Sequence, residues 1–381
     1  MLPITYAIRN ISRSWSKTLQ VITGSTLTIF VIIAAAAFNQ AMLSTLGASG
    51  EHNNVMLIGA GSEESIERSE IPATVPGIVS ASIRGLQQQF GQTAVSGEIY
   101  YMGLVEGQSA KQSEALMRGV ELPALQVHSQ IAITQGRFPR AGELLVGRLA
   151  ANQLEWPSED LQVGAQISID GESFTVSGVF EAPGSVFEAE LWMNLSDMMA
   201  VSQRDALSCA VIKLDKAEFE DVDLFCKQRL DLELSAVRES DYYNKLSKFY
   251  MPIQVMVWIT ALLVVSGAVF GGLNTMYAAF ISRKKELGTL QAVGYSRLSL
   301  IITMLQESFF LNLIATIIAL SLTMVLLNGF QIAFASGVFA LNIDNFSIIL
   351  ALISALLLSV GGIIVPAWHA LYPPLTATLR S

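Results

Sequence analysis

Histidine, cysteine and membrane-depth charge are scarce in this 381-residue chain, and each scarcity removes a class of function. The three histidines, His52, His128 and His369, have no Cys, His or acid beside them at ligand spacing, so no metal site is expected. No Gly-x-Ser-x-Gly elbow occurs, and no Gly-x-x-x-x-Gly-Lys-Ser/Thr loop, so the chain has no hydrolase nucleophile of the first kind and no ATP cradle of the second. The two cysteines, Cys209 and Cys226, fit equally two buried thiols or one disulfide, because sequence carries no distance between them. Four long apolar runs hold no Lys, Arg or Asp, and among them a single Glu.

Those runs fill the sequence. They cover 18–46, 251–281, 298–328 and 346–371, each beyond the ~20 residues a helix needs to cross a bilayer. One span, a gap of some two hundred residues and three more spans form the layout. The first is about twice the length of a signal-peptide apolar region, so it is expected to be retained. Charge orients the chain. Arg9, Arg13, Lys17, Arg283, Lys284, Lys285, Arg297 and Arg380 lie outside the gap, accompanied by Glu286, whereas the 329–345 loop has Asp344 and no cation. The positive-inside rule then places both termini and the 282–297 link in the cytoplasm, with 47–250 outside. That outer segment carries fifteen cations against twenty-nine anions, although the whole chain is only −9. Such a surface disfavours nucleic acid, and a solvated acidic exterior accounts for most of the carboxylates.

Before the first span, Ile4, Ile8, Ile11 and Trp15 share one helical face, with Arg9, Arg13 and Lys17 on the other. This predicts an amphipathic helix over 1–17 lying in contact with membrane lipid. The outer segment reads as α+β. Strands are expected at 55–58, 98–101 and 143–146, with a hairpin of 165–170 and 173–180 turned by Asp170-Gly171. Helices are expected at 148–154 and 196–203. A strand–helix–strand unit is expected over 207–214, 218–230 and 232–237, with a β-rich insert around 131–194. The fold class is therefore four transmembrane helices plus an α+β extracytoplasmic domain inserted between helices 1 and 2.

Three features of the membrane part go beyond hydropathy. Gly267 and Gly271, with Ala268 and Gly272, put small residues along one side of span two. They are either a close-approach strip for another helix or the scattered glycines common in apolar helices. Glu307 lies about nine residues into span three, where a carboxylate is costly unless it snorkels, pairs or faces the bundle, and a structural contact is expected rather than a proton relay. In the 282–297 link, Leu287, Leu290 and Val293 recur at helical spacing, Arg283 and Glu286 stand three apart, and Gly294 fits a helix end. A short structured connector follows, suited to docking a partner.

The link Arg283…Glu286-Leu287-Gly288…Leu290-Gln-Ala292-Val-Gly294, followed by Glu307, resembles the signature of the MacB–FtsX type of ABC-transporter permease. The four-span layout, the lead 7–13 and the Pro366…Arg380 tail are similar to that family. So are Gly136-Arg-Phe, Glu143-Leu-Leu-Val-Gly147 and Phe174-Thr-Val-Ser-Gly178 in the outer domain. The tail departs in carrying Trp368-His369 where a basic pair is common, and the nucleotide-binding domain of MacB itself is absent from this sequence.

The resemblance implies a dimer of two permeases, identical or paired with a homologue. Each would bind a separate ABC ATPase through Arg283, Glu286, Leu287, Gly288, Leu290, Ala292 and Gly294. Leu287 and Leu290 would enter the ATPase groove, Arg283 and Glu286 would fix the helix, and Gly294 would end it. ATP and Mg would sit on the partner, with no cofactor on this chain and no enzymatic activity of its own. Motion would pass along the spans to the outer domain to move a lipid, lipoprotein, peptide or hydrophobic drug, with or without a periplasmic adaptor. The alternatives are an FtsX-like subunit activating an extracytoplasmic cell-wall hydrolase, and a membrane sensor independent of any ATPase.

Overall fold

The computed structural model describes residues 15–371 other than 90, 108, 110, 283, 335 and 336. Expectations that rest on 1–14, Arg283 and the 372–381 tail lie outside the described residues. The chain forms two compact units, one holding most of the four long helices and the other spanning Ala41–Met251 with Gln331–Ala340.

The first helix, α1 (Trp15–Ser49), continues past the expected 18–46, and its final turns belong to the second unit. That unit is the extracytoplasmic domain. The strands of its main sheet are β1 (Asn54–Gly59), β2 (Val95–Glu106), β3 (Gln112–Val120), β4 (Ala132–Gly136), β5 (Glu143–Gly147), β6 (Gln166–Ile169), β7 (Glu172–Glu181), β8 (Leu191–Asn194), β9 (Cys209–Lys213) and β10 (Leu234–Arg238). They pair in the order β10-β1-β9-β2-β3-β8-β5-β7-β4. β6 joins both β7 and β2, so β2, β3, β8, β5, β7 and β6 close into a ring. The β-rich region therefore begins earlier than the expected insert. It includes the long β2–β3 hairpin, of which the sequence showed only a four-residue piece.

Local chemistry explains the main elements. In β1, Val55 and Leu57 enter the larger core while Met56 and Ile58 enter a smaller one on the opposite face, so all six residues are buried. Asp170 and Gly171 both adopt left-handed backbone (φ 47° and 93°), as a two-residue hairpin turn between β6 and β7 requires. Gly136 and Gly178 face each other across β4 and β7, where a Cβ on either would strike the other strand's backbone.

Helices α2 (Val75–Ser82), α3 (Ala150–Leu154), α4 (Leu195–Ser202), α5 (Phe219–Gln228) and α6 (Glu239–Phe249) complete the domain. α5 opens on a reciprocal cap in which the Glu218 side chain accepts from the backbone of Asp221 and the Asp221 side chain accepts the Glu218 N–H at 2.9 Å. β9 and β10 run parallel on either side of β1, with α5 between them in sequence.

The cysteines belong to different parts of this domain. Cys209 lies in the smaller core and Cys226 in the larger, and both are free thiols. Burial pushes the Cys226 thiol up to about 11 and that of Cys209 well above the ordinary thiol range. Neither is expected to react with a water-soluble maleimide until denaturant is added. Stoichiometric labelling of the folded protein would contradict this.

The other unit contains α7 (Met251–Ser282), α8 (Lys284–Ala292), α9 (Arg297–Leu326) and α10 (Asn345–Leu371). Among the described residues, four helices, α1, α7, α9 and α10, are long and apolar enough to span a membrane. Ile29 and Ile33 of α1 pack against Ala319 of α9 and Ala351 and Ala355 of α10, small residues that let helices approach closely. Thr26 Oγ1 of α1 donates across to Ala315 O of α9 at 3.4 Å, whereas many other hydroxyls within the spans turn back on their own helices. Thr28 donates to Gly24 O, Thr316 to Asn312 O, Ser354 to Leu350 O and Ser359 to Ala355 O, so lipid leaves them satisfied. The segment expected as a loop at 329–345 instead forms a hairpin of β11 (Gln331–Phe334) and β12 (Gly337–Ala340). The hairpin belongs to the extracytoplasmic domain: Val338 and Phe339 are buried, and Gln153 Nε2 donates to Phe334 O at 2.9 Å.

Candidate functional site

Two places concentrate features that packing alone does not require. The first is the α7–α9 link. α8 ends in a complete Schellman motif: Tyr295 N–H donates to Leu290 O at 3.1 Å and Gly294 N–H to Gln291 O at 3.0 Å, with Gly294 at φ 107°. Ser296 then caps α9, accepting the Ser299 N–H at 3.2 Å. Leu290 and Tyr295 pack against Leu300, Met304 and Ile363. The link is thus pinned to its own bundle.

This changes the expected division of labour among the link residues. Leu290 is half-buried against its own chain rather than presented outward, Gly288 is buried and Glu286 half-buried. Arg283 lies outside the described residues, as does the side chain of Leu287. Ala292 is exposed, and Val293 beside it is 72% exposed, an apolar residue of the helical repeat to which the family resemblance had assigned no contact. Gly294→Val should strain the left-handed position by about 1–3 kcal/mol and lower hydrogen-exchange protection of Lys284–Ala292. Undiminished protection would show that the glycine is dispensable.

In span two, Gly267, Gly271 and Gly272 meet no atom of the chain where a Cβ would stand. Ala268, Gly271 and Gly272 line a cavity of about 480 Å³ together with Gly24, Thr28 and Gly361. Ala261 is the buried apolar residue of α7 among its described side chains; Met256, Leu262, Leu263 and Phe270 are more than 60% exposed. Among the described residues, no helix of the chain packs closely on the small-residue strip. Glu307 is half-buried on α9.

The second place lies where α1 and α6 meet the sheet, and it was not anticipated. Arg118 is fully buried. It donates from Nε and Nη2 to Glu190 at 2.8 and 2.6 Å and from Nη1 to Glu98 at 2.8 Å. Tyr100, Phe187 and Trp192 surround its guanidinium, with ring centroids 4.1, 4.7 and 5.5 Å from Cζ, and Trp192 Nε1 donates to Glu190 at 2.7 Å. On the other oxygen of Glu98 stands His128, its Nε2 at 2.8 Å, while His128 Nδ1 lies 3.5 Å from Glu239.

Glu239, the first residue of α6, accepts the Glu51 N–H at 3.0 Å and Asn54 Nδ2 at 2.9 Å. Glu51 in turn accepts from Lys213 Nζ at 2.6 Å and from Ser129 N–H and Oγ. Two further contacts fix the segment after α1: Val186 N–H donates to Ser49 Oγ at 2.9 Å, and a Cβ on Gly50 would stand 2.7 Å from Ser240 Cα. Burial opposes the ionised form of Glu98, but His128 and Arg118 outweigh it and hold its carboxyl down at about 2. The signal available in sequence was slight: two charges, Glu98 and Arg118, each next to apolar residues within a strand.

Comparison with known proteins finds two family models along the chain. Residues 18–222 match the family model of the MacB-like periplasmic core domain, and residues 258–375 match that of the FtsX-like permease C-terminal. Among solved structures, the chain is similar to the periplasmic region of MacB from Actinobacillus actinomycetemcomitans, at 13% identity and a TM-score of 0.41, over 54% of this chain and 97% of that one. It is also similar to the extracellular domain of the ABC-type transporter YknZ from Gram-positive bacteria, at 11% identity and a TM-score of 0.38, over 49% of this chain and all of that one. No curated protein matches the chain.

Proposed function

Since this chain belongs to the MacB–FtsX type of ABC-transporter permease, we propose that it is the transmembrane subunit through which a separate ATPase drives an extracytoplasmic domain. The observation that carries the reading is the link itself: a discrete helix, closed by a Schellman cap, pinned to its own bundle and presenting Val293 outward. A passive loop has no need of such construction. The link would be the ATPase contact, and the cation asymmetry of the loops supports its cytoplasmic placement together with both termini, in the inner membrane. ATP and Mg would belong to the partner.

The apolar face of α7, with its open glycine strip, supports a second permease copy or homologue at this helix. The spans' self-satisfied hydroxyls suit a mechanism in which work is done on the outer side rather than through a hydrophilic pore. The cargo class would be a lipid, lipoprotein, peptide or hydrophobic drug. The testing experiment is a mild-detergent pull-down of the tagged chain from its native membrane, with mass spectrometry and an ATPase assay on the eluate. Recovery of an ABC ATPase supports the reading. Repeated recovery of none would sink it in favour of an ATPase-independent sensor.

A further inference from the structure

We propose that the extracytoplasmic domain carries a proton-operated latch, in which one proton on the His128–Glu239 pair holds the start of α6 against the sheet and its loss as pH rises releases that helix. α6 ends at Phe249, and α7 begins at Met251, so the latch acts on the segment that feeds the second span.

The argument begins with proton counting at the imidazole. A neutral histidine has one N–H and one lone pair. If Nε2 donates to Glu98 at 2.8 Å, the Nδ1 lone pair faces the Glu239 carboxylate at 3.5 Å, and two acceptors confront each other. The contact becomes attractive only with a proton on Nδ1 or on Glu239. The surroundings supply no substitute. β2 contributes Glu98 and Tyr100; β3 contributes Arg118, which is committed to Glu98 and Glu190; β8 contributes the Trp192 ring. The Phe187 ring lies tilted against His128 at 5.0 Å, α6 adds Tyr243, and β1 adds Asn54 on the far oxygen of Glu239. Lys213 of β9 is committed to Glu51, Ser129 and the Val127 carbonyl. Four carboxylates, Glu51, Glu98, Glu190 and Glu239, thus face two permanent cations, Arg118 and Lys213. With the shared proton one negative charge remains uncompensated; without it there are two, in a buried site.

The direction of the pH effect follows. Burial works against a charged His128, but the Glu98 and Glu239 carboxylates outweigh it and raise its pKa above the ordinary 6.5. Burial also raises Glu239. Both groups bind their proton more tightly folded than unfolded. Their contribution is therefore complete below the unfolded values and is lost as pH rises through the folded ones. Glu98 acts oppositely, contributing above its unfolded value of 4.5 and losing that contribution as pH falls toward about 2. The latch is closed below the ordinary histidine value of 6.5 and opens as pH rises through the raised value of the folded pair.

The test is hydrogen exchange on the full chain in nanodiscs from about pH 6 to about pH 9.5, corrected for intrinsic rates. Release of one proton predicts that protection at the start of α6 falls on the order of tenfold per pH unit beyond the pair's transition, while α5 is unaffected. His128→Asn and Glu239→Gln should each abolish this slope. Protection independent of pH in the unmodified protein would overturn the latch. Because either variant can misfold, a second measurement uses the native cluster. Carbon-13-labelled histidine resonances, assigned with His52→Gln and His369→Gln, should show His128 titrating above 6.5, and titration at or below that value overturns the proposal.

Discussion

Val293→Glu should abolish stable association with the ATPase while leaving the permease as heat-resistant as before. Val293 follows the last turn of α8, immediately before the left-handed Gly294, and is 72% exposed, so a carboxylate there disturbs nothing inside the chain. Surface changes of this kind usually stay within ~0.5 kcal/mol. Against an apolar groove on a partner, an unpaired charge costs about 3 kcal/mol, which is on the order of a hundredfold in affinity. Leu290→Glu is the informative contrast. Leu290 packs against Leu300, Met304 and Ile363, so a carboxylate there attacks the seat of the link. That variant should lose both coupling and thermal stability, whereas Val293→Glu should lose coupling alone. Co-purification, ATP hydrolysis and Tm in the same detergent separate the two. A Val293→Glu permease that recovers the ATPase at full stoichiometry and turnover would remove Val293 from the contact.

The contrast also shows what a sequence can and cannot reveal here. The four spans were legible because hydrophobic length is a one-dimensional property. The α8 stop at Gly294 and the Asp170-Gly171 turn were legible because each needs a backbone conformation that few residues adopt. The family resemblance assigned Leu290 to a partner's groove, yet neither resemblance nor helical spacing says which side of a short helix faces its own bundle. The β11–β12 hairpin escaped notice because its burial depends on the distant residues around Val186 and Gln153.

The buried charges were the hardest to see. Acidic residues scattered through an exported segment read as solvated surface, and most are. Glu98, Glu190 and Glu239 differ only because the fold brings Arg118 and His128, from separate elements, to meet them. Strand parity gave no warning, since β2 is buried on both faces over Val95–Tyr100.

That buried cluster carries the other large expected effect. Arg118→Ala should lower the Tm of the full chain by on the order of 10 °C, because about 3–5 kcal/mol is lost when one member of a buried ion set is removed. The loss is not the worth of the three hydrogen bonds. It is the cost of leaving Glu98 and Glu190 charged, dehydrated and facing each other across the space the guanidinium filled. Two further substitutions test that cause. Adding Glu190→Gln to Arg118→Ala should return part of the lost Tm, since it removes one stranded charge while keeping an acceptor for Trp192 Nε1. Arg229→Ala removes an equally well-formed bidentate pair with Asp231 at the surface, and it should leave Tm unmoved because solvent takes over the exposed partner. If Arg118→Ala proved as mild as Arg229→Ala, solvent would have to reach Glu98 and Glu190, and the site would not be the dry cluster that its enclosure by Tyr100, Phe187 and Trp192 describes.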